Sequence, residues 1–408
     1  MPNVVFVAPF FLETTVRFLD AVASLPGVRC GLVSQDPVEK LPPRLRSRLA
    51  SHRRVGNAVD PQQIADATRS IAAEWGSGVD RLLGALEQLQ EPLAEVRGAL
   101  GIPGMRLEAA RNFRDKARMK DVLAKHGVPC ARHARIHDAG AAIEFAGRVG
   151  YPLVLKPVAG AGAKATYRVT DARELQEALA AVRPSAERPA VLEEFVTGQE
   201  FSFDAVSIRG RAVWHSLTHY LPAPLHVLDN PWIQWCVLLP REIDDPRYDD
   251  IRPVAAKALQ ALGMDTGLAH MEWFRRPEGG VMISEVGARP GGAQITSIIS
   301  WAHDVDFYKA WARLVVYEQF EVPKRKYSAG CAYLRAQGEG KKIVAVHGLE
   351  RTLQALGPMV VEVKRPNPGA PPSSSYEGDG FVILRHPETA KVEAGLRQLV
   401  TDVRVELG

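Results

Sequence analysis

Cysteine is scarce in this chain, with four among 408 residues: Cys30, Cys130, Cys236 and Cys331. They lie far apart and form no Cys-x-x-Cys pair, which excludes a zinc ribbon and a disulfide framework and suits a reducing, cytoplasmic setting. No sustained basic run or basic-aromatic stripe is present, and the formal net charge is only +4. Nucleic acid is therefore not an expected partner. Long apolar runs are missing too. The opening Met-Pro-Asn-Val-Val-Phe-Val-Ala-Pro-Phe is too short to span a bilayer and lacks a basic leader, so it reads as a first buried strand and no membrane partner is expected. No Gly-x-Gly-x-x-Gly follows that strand, and no glycine loop ends in Gly-Lys-Ser/Thr, which removes dinucleotide and Walker-type readings. No Ser/His/Asp or Cys/His arrangement presents itself.

What remains is a globular composition, 46% hydrophobic and 24% charged, in a chain long enough for two or three domains. The first hundred residues alternate strand-like runs (Val4 to Ala8, Val28 to Val33, Asp80 to Leu86) with helical spacing (Glu13 to Ser24, Pro61 to Trp75). This βαβ rhythm predicts a small doubly wound domain ending near Gly101-Ile-Pro-Gly104. Beyond it, a helix is expected over Asp115 to His126, a strand over Tyr151 to Pro157, and a capped helix over Asp171 to Val182. Val191 to Phe195 and Phe201 to Ile208 read as paired strands around Thr197-Gly198. A third region begins near Pro323, in which Arg365 to Gly380 reads as a flexible Pro/Ser/Gly loop. The domain reading is thus 1–104, 105–322 and 323–408.

The most informative stretch is Gly267 to Gly292. Read as a hairpin turning at Glu278-Gly279, it sets Phe274 opposite Ile283, Glu272 opposite Glu285 and His270 opposite Gly287. Alternation then puts His270, Glu272, Phe274, Ile283, Glu285 and Arg289 on one face. Like charges directly opposite destabilise a sheet unless something cationic lies between them. A hard divalent cation shared with substrate phosphates answers that need.

Two further elements carry charge. Lys156 ends an apolar strand, where an ammonium requires a counter-charge, and a phosphate would supply one. The loop Ala159-Gly-Ala-Gly-Ala-Lys-Ala165 follows, with Gly160, Gly162 and Lys164 able to bring backbone amides and an ammonium to an anion, or simply to turn the chain. Glu193 and Glu194, in Glu-Glu-Phe195-Val196 before Glu200, are either functional acids or a strand end. The aromatic and proline-rich stretch Thr218 to Trp235 lines an acceptor pocket or forms a buried connection.

In this order and spacing the elements resemble the ATP-grasp superfamily from residue 1 to about 320. The resemblance implies a mixed α/β and α+β architecture: a pre-ATP-grasp α/β domain, a two-lobed nucleotide core and a small C-terminal α+β lobe. It implies that Lys116 and Lys156 contact nucleotide, that 159–165 covers the phosphates, and that Glu193, Glu194, Phe195 and Val196 form the adenine hinge. Glu200 would then meet the ribose, and Glu272 with Glu285 would bridge Mg2+, or Mn2+ in its place. His270-Met-Glu272 with Arg289-Pro-Gly-Gly292 resembles the carboxylate–amine ligases of the L-amino-acid ligase kind. That group implies an ADP-forming ligase acting on a small-molecule carboxylate and an amine, with ATP as co-substrate and a homodimer as the default assembly. Arg289 would hold phosphoryl oxygens, and His270 and the Gly291–Gly292 amides an oxyanion. One departure stands out: Gly287 occupies the position where many members carry a metal-binding asparagine. The rival readings are a carboxyphosphate-forming, biotin-carboxylase-like enzyme and an ATP-binding module without turnover.

Overall fold

The computed structural model describes residues 1–159, 165–230 and 233–408, without the side chains of Leu228 and Asp229. Gly160, Gly162 and Lys164 lie outside the described residues. Among these residues the strands form four sheets.

The N-terminal sheet is parallel, in the order β3-β2-β1-β4, with β1 Asn3–Val7, β2 Arg29–Ser34, β3 Leu49–Arg54 and β4 Arg81–Leu83. Val4 to Val7 are fully buried, as a β-branched run covered on both faces requires. The helix Pro61–Trp75 begins where Asp60 accepts from the Gln62 and Gln63 amides, and ends at Gly76 in the left-handed region, as the sequence predicts. The strand expected over Asp80 to Leu86 stops at Leu83. The chain then turns through Gly84 to Leu86 into a short 3-10 turn, Glu87–Leu89.

The second sheet, order β5-β8-β6-β7, comprises β5 His133–Ile136, β6 Leu153–Pro157, β7 Tyr167–Val169 and β8 Ala190–Glu194. The expected pairing of residues 191–195 with 201–208 does not occur. Both edges of β8 are already taken by β5 and β6, so the next strand has no free edge to join. It crosses instead to the largest sheet. That sheet contains β9 Gln199–Ile208, β10 Arg211–Leu221, β11 Trp235–Leu239, β12 Gly267–Arg275 and β13 Val281–Gly287. The C-terminal segment supplies β14 Ser328–Leu334, β15 Ala336–Gln337, β16 Ile343–His347, β17 Val360–Lys364, β18 Gly380–His386 and β19 Arg404–Leu407. Strands β14, β18 and β17 extend the large sheet to the order β13-β12-β9-β10-β11-β14-β18-β17, while β15, β19 and β16 form a small sheet of their own.

Core packing follows these layers. One apolar cluster joins β1 and the helix Glu13–Ala23 to Ile295–His303, Phe307–Tyr317 and the centre of the large sheet. Phe18 packs against Tyr308 and Trp311, with ring centroids 4.7 and 4.8 Å away. The N-terminal sheet is thereby fixed against the large sheet, including Leu268 of the strand that carries Glu272. Among the described residues no helix is long and apolar enough to cross a membrane.

Candidate active site

A cleft of about 750 Å³ lies where the second sheet, the large sheet and the N-terminal sheet meet. Its lining contains Lys116, Lys156, Glu193, Glu194, Phe195, Val196, Glu200, His270, Glu272, Glu285, Arg289 and Gly292. Every described residue named from the sequence as a catalytic, nucleotide-binding or metal-binding candidate therefore borders one cavity.

The hairpin β12–β13 supplies the acidic pair. Glu272 lies opposite Glu285 and His270 opposite Gly287, as expected, but Phe274 faces Met282 and Trp273 faces Ile283. Two local departures cancel. The turn is longer, with Gly279 N–H donating to Arg276 O at 3.0 Å, and Ser284 is an extra residue bulged out of β13. Lys120 Nζ donates to the Ser284 carbonyl at 3.1 Å, which gives an acceptor freed from the ladder a partner. Trp273 and Ile283 join the core beside Met271 and Val286, and Ile283 with Phe274 also borders the cleft beside the glutamates.

Cations surround the carboxylates. Lys116, at the start of the helix Lys116–Lys125, lies 2.6 Å from Glu285; Asp115 caps that helix through the Ala117 and Arg118 amides. Burial pushes the Glu285 carboxyl upward, but Lys116 and Lys156 outweigh it and hold it below its ordinary value. Burial, then Glu285, pushes Glu272 upward. Burial followed by Glu272 raises Glu200 still further. One carboxyl of the site is thus held ionised while two resist ionisation.

The counter-charge of Lys156 is internal. Its Nζ lies 2.5 Å from Glu193 Oε1, and Lys120 Nζ lies 2.9 Å from Glu193 Oε2. The Glu193 side chain is 8% exposed and bridges two buried lysines. Despite burial, those lysines hold its carboxyl at about 2. Glu194 turns the other way, to Arg132 at 2.6 Å.

At the far wall, His270 Nδ1 meets the fully buried Asp204 Oδ1 at 2.9 Å, and Nε2 lies 3.3 Å from Tyr220 Oη. Arg289 Nε donates to Glu87 Oε2 at 2.5 Å and Nη1 to the Pro290 carbonyl at 2.8 Å. Burial would lower the guanidinium, but Glu87 raises it, so it stays charged.

Sequence reasoning missed Asp204, Lys120 and Glu87, whose partners lie 66, 73 and 202 positions away in the chain. It also misjudged residues 365–380. Ser374, Ser375, Tyr376 and Glu377 line the cleft; Tyr376 packs on Trp235 at 4.7 Å, and Glu377 accepts from the Ala293 amide at 3.2 Å. Of the stretch 218–235, Tyr220, Pro224, Leu225 and Trp235 reach the cleft, while residues 231–232 lie outside the described residues.

The ATP-grasp domain family matches residues 121–300, which span the second sheet and the acidic hairpin. The fold as a whole is shared with proteins of known structure: an L-amino acid ligase from Bacillus licheniformis superposes with a TM-score of 0.80, at 22% identity over 100% of this chain and 99% of the other. A phosphoribosylglycinamide synthetase from Anaerococcus prevotii superposes at 0.71 with 14% identity and full coverage of both chains. In sequence, the chain is 24% identical over 230 residues to the L-arginine-specific L-amino acid ligase of Bacillus subtilis, covering 54% of each chain. It is 31% identical over 188 residues to a D-alanine–D-alanine ligase of Pediococcus pentosaceus, covering 43% of this chain and 49% of that one. The matched stretches thus span about half the length of these two relatives. Among the described residues no group of three or more His, Cys, Asp or Glu side chains could hold a metal. The hairpin offers a pair, Glu272 and Glu285, opposite each other and both bordering the cleft, and that donor set suits a hard cation that keeps water and phosphate ligands.

Proposed function

We propose that the chain is an ADP-forming carboxylate–amine ligase. The supporting observation is one cleft bordered by the Glu272–Glu285 pair, by Lys116 and Lys156, and by Arg289, His270 and Gly292. In this reading an oxygen of the substrate carboxylate takes the γ-phosphoryl group of ATP, the bond to the β-phosphate oxygen breaks, and ADP leaves. The amine nitrogen then attacks the acyl carbon, the C–O bond to phosphate breaks, and the amine loses a proton.

Each residue has a task matched to its chemistry. An ammonium has three donors, so Lys156 can keep Glu193 and still reach phosphate, and Lys116 can do the same beside Glu285. Phe195 and Val196 follow β8 at the adenine position, with Glu200 at the ribose. Glu272 and Glu285 would hold Mg2+, or Mn2+, which neutralises charge developing on the transferred phosphoryl group. Arg289 grips phosphoryl oxygens through its remaining N–H groups. His270 and the Gly291–Gly292 amides face the oxyanion of the tetrahedral intermediate. Gly160, Gly162 and Lys164 belong to the phosphate-covering loop of the same scheme. The units 1–104, 105–322 and 323–408 are the domains we assign, and the four free cysteines support a cytoplasmic enzyme, with a homodimer as its assembly.

Gly287 favours a second reading, a nucleotide binder without turnover. The deciding experiment measures ADP and phosphate release from Mg-ATP across amino acids, short peptides, hydroxy acids and bicarbonate. Release that requires one acid and one amine establishes the ligase, and release with bicarbonate alone assigns a carboxyphosphate-forming enzyme. Calorimetric ATP binding without release under any condition assigns the binder.

A further inference from the structure

Glu87 belongs to the N-terminal sheet's last connection, far from every motif of the ATP-grasp domain. Its turn is anchored by Leu89 and Leu93, both fully buried, and by Gln90 Nε2, which donates to the Leu86 carbonyl at 3.0 Å. From there the carboxylate reaches Arg289 at 2.5 Å, with Arg114 at 3.8 Å on its other oxygen. The side chains are 10% (Glu87) and 18% (Arg289) exposed, so water screens the pair little.

Gly287 lies directly beneath this contact. A β-carbon on Gly287 would lie 3.2 Å from Glu87 Oε2 and 3.5 Å from Arg289 Nε. Its backbone is not in the left-handed region, so conformation does not demand glycine there. Space bears on it: a β-carbon would press on the Glu87 carboxylate, which would have to give by a few tenths of an ångström where it meets the guanidinium. Held at Nε by Glu87 and at Nη1 by the Pro290 carbonyl, the planar guanidinium has its orientation set, and Nη2 has no protein acceptor among the described residues.

We propose that Glu87 is the positioning residue of Arg289, and that position 287 is glycine so that this ion pair can form. The missing side chain then marks a differently built arginine clamp, not a decayed active site. An arginine fixed at two nitrogens loses less freedom when it grips a phosphoryl group, and a guanidinium off its axis loses the bidentate geometry. The inference rests on the ligase reading only in taking Arg289 as the phosphoryl-binding group, and it is tested without any amine.

The test is calorimetric titration of inorganic phosphate into the full chain saturated with Mg-ADP. Glu87→Gln is expected to weaken phosphate by about tenfold, since charge and orientation are both lost, while ADP affinity stays within about twofold. Glu87→Asp should recover part of the loss. Gly287→Asn should weaken phosphate in the natural background, yet add no more than about twofold in the Glu87→Gln background, because coupled sites are not additive. Unchanged phosphate affinity in Glu87→Gln, or losses that simply multiply in the double variant, would overturn the proposal. So would an absence of phosphate binding to the unaltered Mg-ADP complex. Should Glu87→Gln fail to fold, Glu87→Asp and Gly287→Asn still decide it: wild-type phosphate affinity in both overturns it. A failed substrate panel with intact phosphate coupling would remove the ligase reading and leave this one standing.

Discussion

A β-carbon on Gly291 would lie 2.9 Å from His270 Nδ1 and 3.3 Å from Asp204 Oδ1. The chain after Arg289 therefore passes against the His270–Asp204 pair with no room for a side chain. Gly291→Ala should push the imidazole away from the cleft or break its bond to Asp204. We expect kcat to fall by about 10- to 100-fold, as when an orienting partner is lost, with ATP affinity unchanged. Steady-state ADP release beside ATP calorimetry checks this, and a kcat equal to that of the natural protein would remove His270 from the chemistry.

Asp204 accepts from Nδ1 of His270, which directs Nε2 toward Tyr220 and the cleft. An amide there can present either a donor or an acceptor, so Asp204→Asn should leave a mixture of ring tautomers. Nitrogen-15 NMR of the His270 ring reads the tautomer without any turnover. A ring still wholly Nδ1-protonated in the variant would show that Asp204 does not set it.

Glu193 offers a stability prediction with a defined pH window. Its carboxyl ordinarily titrates at 4.5 and is held at about 2, so its contribution is complete above 4.5 and is lost as pH falls toward 2. Glu193→Gln leaves Lys120 and Lys156 buried without their shared anion and should cost about 3–5 kcal/mol at pH 7. Urea unfolding at pH 7 and at progressively lower pH measures the difference. A loss that does not shrink on acidification would contradict the assignment.

Glu200 carries the opposite sign. Its folded value lies above 4.5, so the ligand-free protein is penalised by holding it ionised. The penalty is absent below 4.5 and grows as pH rises through the folded value. Glu200→Gln should therefore raise the melting temperature at neutral pH while weakening ATP binding, and the two proteins should melt together in acid. A lower melting temperature at pH 7 would refute this reading of the carboxyl.

Glu272→Gln removes one carboxylate of the opposed pair, relieving repulsion with Glu285 and leaving a single acidic ligand for a cation. Turnover should vanish while the fold survives, and magnesium affinity, measured by calorimetry on the ADP complex, should drop by about tenfold or more. Retained turnover would remove the metal assignment.

The legible parts of the sequence were those encoded locally. Period-two alternation, with an acidic-glycine turn, set Glu272 against Glu285 even though the turn and the Ser284 bulge each departed by one residue. A lysine ending an apolar strand announced a buried charge at Lys156. Its partner was not legible, because Glu193 faces it only through the pairing of β6 with β8. Asp204 and Glu87 were hidden for the same reason: nothing near either in sequence distinguishes a buried partner from a solvated acid. The Pro/Ser/Gly composition of 365–380 correctly signalled a loop, but composition does not say what a loop packs against. Trp235 and Ala293 decide that.

The cleft is walled at one side by Leu12 to Phe18 and at another by Ser374 to Glu377, so one margin precedes residues 121–300 in the chain and the other follows them. Strand β18, which carries the latter margin into the sheet, follows Glu377 in the chain. A ribosome-bound intermediate that has already folded residues 121–300 would present the cleft with one wall missing. In the ligase reading, an acyl phosphate formed then would stand open to water. The topology therefore delays a closed cleft until Ser374 to Glu377 have been made and have packed against Trp235 and Ala293.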